Sequence, residues 1–230
     1  MTDMLIPASN NRGPAPEVGA PLLEVVTQPL YSCMSFNGGV VLPAEVRCFN
    51  YSLGDTVPGA GDGTESATYY HTNMEVSGTL AQPKVFEVTG VRQVVSNIDA
   101  AGTTADADQT TQQDPNLLED VQRFYHGTHL SLHVGTKDYL SGPSWLFPGN
   151  VGLSGISEIA SHDTAALECY QPMAVQGQGK YMNLAPYTIF IPSQQSFHCK
   201  LRAPQATTPT IIDDYLVYVV LDGRIGREAQ

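Results

Sequence analysis

Short apolar runs separated by breaks rich in Gly, Pro, Asn and Asp fill the chain from Tyr31 to Asp222. Several alternate with a period of two, the mark of strands with one buried face. Residues 44–51 alternate apolar and polar side chains. Residues 85–95, Val-Phe-Glu-Val-Thr-Gly-Val-Arg-Gln-Val-Val, are rich in β-branched side chains, with Gly90 placed for a bulge. Residues 129–134 put Leu130, Leu132 and Val134 on one face and His129, Ser131 and His133 on the other. Residues 137–140 and 145–147 read as short strands split by Ser141-Gly142-Pro143, and residues 187–191 and 196–202 as two more. The last run, residues 215–222, is almost continuously apolar, as in a central strand covered on both sides.

One stretch has helical periodicity. Over residues 114–125, Asp114 is placed to cap and Pro115 suits the first helical position. Leu117, Leu118, Val121 and Phe124 or Tyr125 then form a one-sided stripe, and His126-Gly127 ends it. Before it, residues 97–113 form a Thr-, Asp- and Ala-rich connection of the length that usually carries function or moves. At the N-terminus, Pro7, Pro14, Pro16, Pro21 and Pro29 exclude helix interior and central strand. Residues 1–30 therefore read as an extended arm, whose apolar patch 21–26 serves either as a first strand or as an attachment point.

These elements predict an all-β fold: a single jelly-roll or Greek-key β-sandwich over residues 31–222, with one short helix at about 114–125. An N-terminal arm (1–30) and a C-terminal tail (223–230) flank it. An immunoglobulin-like domain is too small for this length, and the lack of internal repeats argues against a propeller or solenoid.

Charge narrows the partners. Only 15% of the 230 residues are charged, against 42% apolar, so much of the surface is small, neutral and polar. Such a surface suits extensive contact with other chains, or simply reflects a β-rich protein with Thr- and Gly-rich loops. The net charge is −12 and the 11 basic residues are scattered, with only Lys200/Arg202 and Arg224/Arg227 close together. Strong direct binding to nucleic acid or to an anionic membrane is disfavoured. No run approaches the roughly eighteen apolar residues of a membrane span, and the first residues lack the pattern of a secretory signal. Cys33, Cys48, Cys169 and Cys199 are widely spaced, and Cys48 and Cys199 read as small buried hydrophobes.

Candidate chemistry is sparse. His126, His129 and His133 cluster in sequence, but on a strand residues four apart stand about 13 Å apart, too far to share one ion. Asp99, Asp106 and Asp108 lack the spacing of a calcium loop. Gly152-Leu153-Ser154-Gly155 has the wrong spacing for a nucleophile elbow. No cofactor is expected. Tyr139, Trp145 and Phe147, with Tyr181, suggest an aromatic surface of the kind that binds sugars, or else core and intersubunit packing.

Three stretches carry a resemblance: residues 134–149 (Val-Gly-Thr-Lys-Asp-Tyr-Leu-Ser-Gly-Pro-Ser-Trp-Leu-Phe-Pro-Gly), residues 191–197 (Ile-Pro-Ser-Gln-Gln-Ser-Phe), and residues 219–230 (Val-Val-Leu-Asp-Gly-Arg-Ile-Gly-Arg-Glu-Ala-Gln). Together they resemble virion structural proteins of bacteriophages, and the implied architecture is similar to viral jelly-roll capsid proteins. The resemblance covers mainly the C-terminal half. It implies a protein that forms or decorates an icosahedral shell by self-assembly in the host cytoplasm, with no catalytic residues to carry over. Its partners would be copies of itself and other virion proteins. Pro14, Pro16, Leu22 and Leu23 in the arm and Arg224 and Arg227 in the tail are the candidate subunit-interface residues. The alternatives are a carbohydrate-binding sandwich, such as a receptor-binding fibre domain, and a cupin-like or hydrolytic enzyme with a site assembled from distant loops.

Overall fold

In a computed structural model of the chain, the residues described are 23–36, 41, 43–60, 65–96, 124–147, 152–153, 174–175, 182–203 and 215–228. Among them run the strands β1 (Leu23–Thr27), β2 (Leu30–Phe36), β3 (Glu45–Cys48), β4 (Gly59–Ala60), β5 (Val85–Ser96), β6 (His129–Val134) and β7 (Lys137–Pro143). They continue with β8 (Gly152–Leu153), β9 (Ala174–Val175), β10 (Met182–Asn183), β11 (Ile189–Ile191), β12 (Phe197–Arg202) and β13 (Tyr215–Glu228). A helical turn occupies 124–127, and a 3₁₀ turn, Ser144–Leu146, follows β7.

The strands form a sandwich of a 7-stranded and a 4-stranded sheet, with β8 and β9 paired to each other. Four antiparallel pairings define the topology: β2 with β13, β3 with β12, β5 with β11, and β6 with β7. Among the eight strands so paired, first meets last, second meets seventh, third meets sixth, and fourth meets fifth. That is one long hairpin rolled on itself. The roll places β2-β13-β5-β11 side by side in one sheet and β3-β12-β6-β7 in the other. This order is the single jelly roll.

The inner faces supply the main core. Phe36, Phe86, Val88, Val91, Val217, Val219 and Leu221 come from one sheet, and Leu130, Leu132, Phe197, Cys199 and Leu201 from the other. The near-continuous apolar character of β13 has a second cause on its other side. The connection from β3 to β5 folds back over the outside of the larger sheet and closes a small second core of Cys33, Tyr51, Val57, Ala67 and Leu216, with Tyr218 packed against it. Both faces of β13 are thus covered, so both are apolar.

The register between β13 and β5 shifts at Asp222/Gly223, where Thr89 is the extra residue beside Gly90. The bulge expected at Gly90 is present. Across it, a Cβ on Gly223 would stand 2.0 Å from the Glu87 carbonyl oxygen, so only glycine fits.

The ends of the chain differ from expectation. Residues 223–228 are not a tail: β13 continues to Glu228 because β1 pairs along it, Leu23 opposite Glu228 and Thr27 opposite Arg224. The sandwich accordingly includes Leu23–Thr27, within the stretch expected to be the arm; of the two uses foreseen for residues 21–26, a first strand holds from Leu23 onward. Residues 145–147 do not form a strand either. Trp145 lies in the 3₁₀ turn, which lets Phe147 reach the core. Most of the expected helix, 114–123, lies outside the described residues, as does the 97–113 connection; 124–127 are helical, and Phe124 is buried against Phe36.

Candidate interaction surfaces

Alternation in the smaller sheet turns every second side chain outward. Val46 and Cys48 of β3 point inward, so Glu45 and Arg47 point out. Cys199 and Leu201 of β12 point inward, so His198, Lys200 and Arg202 point out. On β6, His129, Ser131 and His133 share that outer face. Antiparallel pairing then fixes the neighbours: Lys200 opposite Arg47 and Ser131, Arg202 opposite Glu45 and His129, and His198 opposite His133. Arg47 thereby joins Lys200 and Arg202, some 150 residues away in sequence, in one cluster.

Glu45 is the hub of that cluster. Arg47 Nε donates to Glu45 Oε1 at 2.8 Å and Arg202 Nε to Glu45 Oε2 at 3.1 Å, while Lys200 Nζ lies 3.8 Å from Oε1. The bond from Arg47, helped by Arg202 and Lys200, holds the Glu45 carboxyl below its ordinary range. Beside it, the rings of His133 and His198 stack with centroids 5.0 Å apart and planes 9° from parallel. Burial, then His133, Arg47 and Lys200, push His198 down to about 4. His133 is also lowered, by burial first and by Lys200 and Arg202, with Asp138 opposing. Ser131 Oγ is 3.0 Å from His133 Nε2, whereas the buried His198 Nε2 has no hydrogen-bond partner among the described residues. This face is locally cationic on a chain that is strongly anionic.

The opposite side of the sandwich is chemically different. Tyr51, Val57 and Ala67 cover the larger sheet here, and the sequence from 49 to 83 contains no Lys or Arg and four acids, Asp55, Asp62, Glu65 and Glu75; of the cations on β5 and β13 that face this side, Arg92 is paired with Asp222 and Arg224 stands opposite Glu87. Tyr51 pins this segment down: its hydroxyl donates to the Cys33 carbonyl at 2.8 Å and accepts the Cys33 N–H at 3.0 Å. His71, also buried, accepts the Thr68 N–H at Nδ1, which leaves its Nε2 facing Glu65 Oε1 at 3.5 Å. Above these, Tyr69 is 73% and Tyr70 42% exposed.

The residues expected from sequence are dispersed. Pro14, Pro16 and Leu22 lie outside the described residues, and Leu23 opens β1. Arg227 is held within its own chain by Glu24, at 2.8 Å, and Arg224 sits in mid-strand opposite Thr27 and Glu87. Of the expected aromatic surface, Tyr139 and Trp145 are about half exposed, but Phe147 is not part of it: at 1% exposure it fills the core. Tyr181 lies outside the described residues. The Arg47–Lys200–Arg202 cluster was not foreseen. Alternation within each strand marks all three as outward-facing, but only the register between β3 and β12 brings Arg47 to the other two.

Among the described residues, no three His, Cys, Asp or Glu side chains converge to hold a metal ion, and no helix is long and apolar enough to cross a membrane. A groove of about 250 Å3 lies between Gln28 and Leu30, the end of β13 and the 73–84 stretch; its lining includes Lys84 and Arg227, each already bound to a carboxylate. No family model matches the chain, and no curated protein or solved structure does.

Proposed function

We propose that this protein is a structural virion protein of a bacteriophage, which forms or decorates an icosahedral capsid by assembling with copies of itself and with other virion proteins. The strand order carries the reading: a single jelly roll whose first and last strands lie side by side is a self-contained slab with two broad outer faces, a shape that tiles. The low charge density supports it, since neutral polar surface is inexpensive to desolvate when copies pack. In a closed assembly one contact is repeated by symmetry, so modest interfaces add up to a stable particle. Negative-stain microscopy of the purified full chain tests this: discrete rings, patches or shells are expected, and a uniform field of single molecules at high concentration would overturn it.

A second reading has its own observation. Trp145 and Tyr139 stand half exposed on and just after the edge strand β7, an arrangement that suits stacking on a sugar ring. Glycan-array binding that is lost on Trp145→Ala would favour a carbohydrate-binding domain instead.

A further inference from the structure

We propose that the outer face of the four-stranded sheet docks onto the side of a second copy of this chain that carries Asp55, Glu65, Tyr69 and Tyr70. The inference rests on the assembly reading above and names the two surfaces that meet.

Charge is unevenly placed on the molecule. The whole chain has 11 basic residues against 23 acids. The outer face of the smaller sheet nevertheless gathers Arg47, Lys200 and Arg202 around a single carboxylate, Glu45, with Asp138 near His133 as its other acid. Arg47 and Arg202 remain about half exposed, with donors to spare beyond the one each gives Glu45. The 49–83 segment is the counterpart: no cation, and acids that include Asp55 and Glu65 close to Tyr69 and Tyr70. Arginines opposite exposed tyrosines and carboxylates combine ion pairing with cation–π contact, and Arg and Tyr are the residues that most often anchor protein interfaces.

Geometry then selects the kind of contact. One surface is the outside of the smaller sheet. The other covers the outside of the larger sheet through Cys33, Tyr51, Val57, Ala67 and Leu216. They lie on opposite sides of the same slab, so one molecule cannot satisfy both with a single neighbour. Each copy offers one face forward and one backward, a heterologous contact that closes into rings or extends into filaments. A face-to-face dimer of the smaller sheets is disfavoured, because it would set Arg47, Lys200 and Arg202 against their own copies. A long polyanion is disfavoured by the −12 charge of the chain as a whole. Contact with the acidic side of another copy sets opposite charges within a few ångströms of each other, where their attraction exceeds the diffuse repulsion between copies.

Two variants at exposed positions test this in the full chain, read by size-exclusion chromatography with light scattering. Arg47→Glu reverses charge on one face, and Tyr69→Arg puts a cation on the other. Each alone is expected to weaken association at least roughly tenfold, the effect of losing one well-placed charged contact. Mixed together they are expected to associate again, because each retains the face the other lacks. Wild-type association is expected to weaken as salt rises from about 0.05 to about 0.5 M. If thermal melting shows that either variant is unfolded, Ser141→Trp replaces Arg47→Glu as a steric block on the same outer face, and Tyr69→Ser replaces Tyr69→Arg. Wild-type-like association of both variants would overturn the inference while leaving assembly itself intact, as would two defective variants that do not rescue each other. A wild-type protein that stays monomeric throughout would overturn the assembly reading with it.

Discussion

His133 and His198 stand directly opposite each other on β6 and β12, their rings stacked at 5.0 Å on the outer face of the smaller sheet. Charging both would put like charges in contact beside Arg47, Lys200 and Arg202, with Glu45 and Asp138 offsetting only part of the repulsion. The fold therefore favours the neutral rings.

The sign of the pH dependence follows. A histidine held down to about 4 in the folded chain takes up its proton in the unfolded chain first, near 6.5. Stability is thus full above about pH 6.5, falls as pH drops through the window between the two values, and is lost in full below about 4. Because the pair is partly solvated, we expect a loss on the order of 1–2 kcal/mol, or ~2–8 °C in melting temperature. Carboxylates elsewhere also titrate in this range, so the measurement is a comparison with His198→Gln. The variant should lose less stability between pH 7 and pH 4.5 than the parent; identical pH profiles would show that the stack is silent.

Gly223→Ala tests the bulge. The added methyl would meet the Glu87 carbonyl oxygen at 2.0 Å, a backbone atom in the neighbouring strand that cannot turn aside. We expect a loss of about 2–4 kcal/mol on chemical denaturation, and an unchanged midpoint would show that the strands separate there at little cost.

Tyr51→Phe tests how the 49–83 segment is fastened. The change removes a buried hydroxyl that donates to the Cys33 carbonyl and accepts its N–H, while keeping the ring that packs on Val57 and Leu216. A loss of about 1–2 kcal/mol is expected, with faster hydrogen exchange confined to residues 49–84. Uniform loss of protection across the sandwich would mean that this segment is no separate unit.

Thiol chemistry should follow burial. Cys33 and Cys199 have no exposed surface, nor has Cys48. Burial pushes the Cys33 thiol up to about 12 and Cys48 well above its ordinary value. Three of the four cysteines are therefore shielded, and mass spectrometry after alkylation at pH 8 should find at most one adduct on the native chain and four after unfolding. Rapid native modification of Cys48 would show that β3, an edge strand, opens readily.

Local pattern carried much of the fold. The alternation in 129–134, the β-branched run at 85–95 and the apolar run at 215–221 are strands because each matches the faces that later cover it. What alternation cannot show is where a strand stops when its polar end is still paired. Gly223 to Glu228 look like a tail because glycines and charges dominate there, yet β1 and β5 bond to them through the backbone, which is blind to side chains. The same limit hid the Arg47–Lys200–Arg202 cluster, a product of register between strands some 150 residues apart. Phe147 was misplaced for a related reason: an aromatic next to Trp145 looks equally exposed until the 3₁₀ turn sends one outward and the other into the core.

Sedimentation velocity of the full chain, across a wide dilution series at low salt, tests the central claim most directly. A jelly roll built to tile should sediment as discrete species much larger than one chain, giving way to smaller ones on dilution or added salt. A single boundary at monomer mass, unchanged at every concentration and ionic strength, would contradict the account.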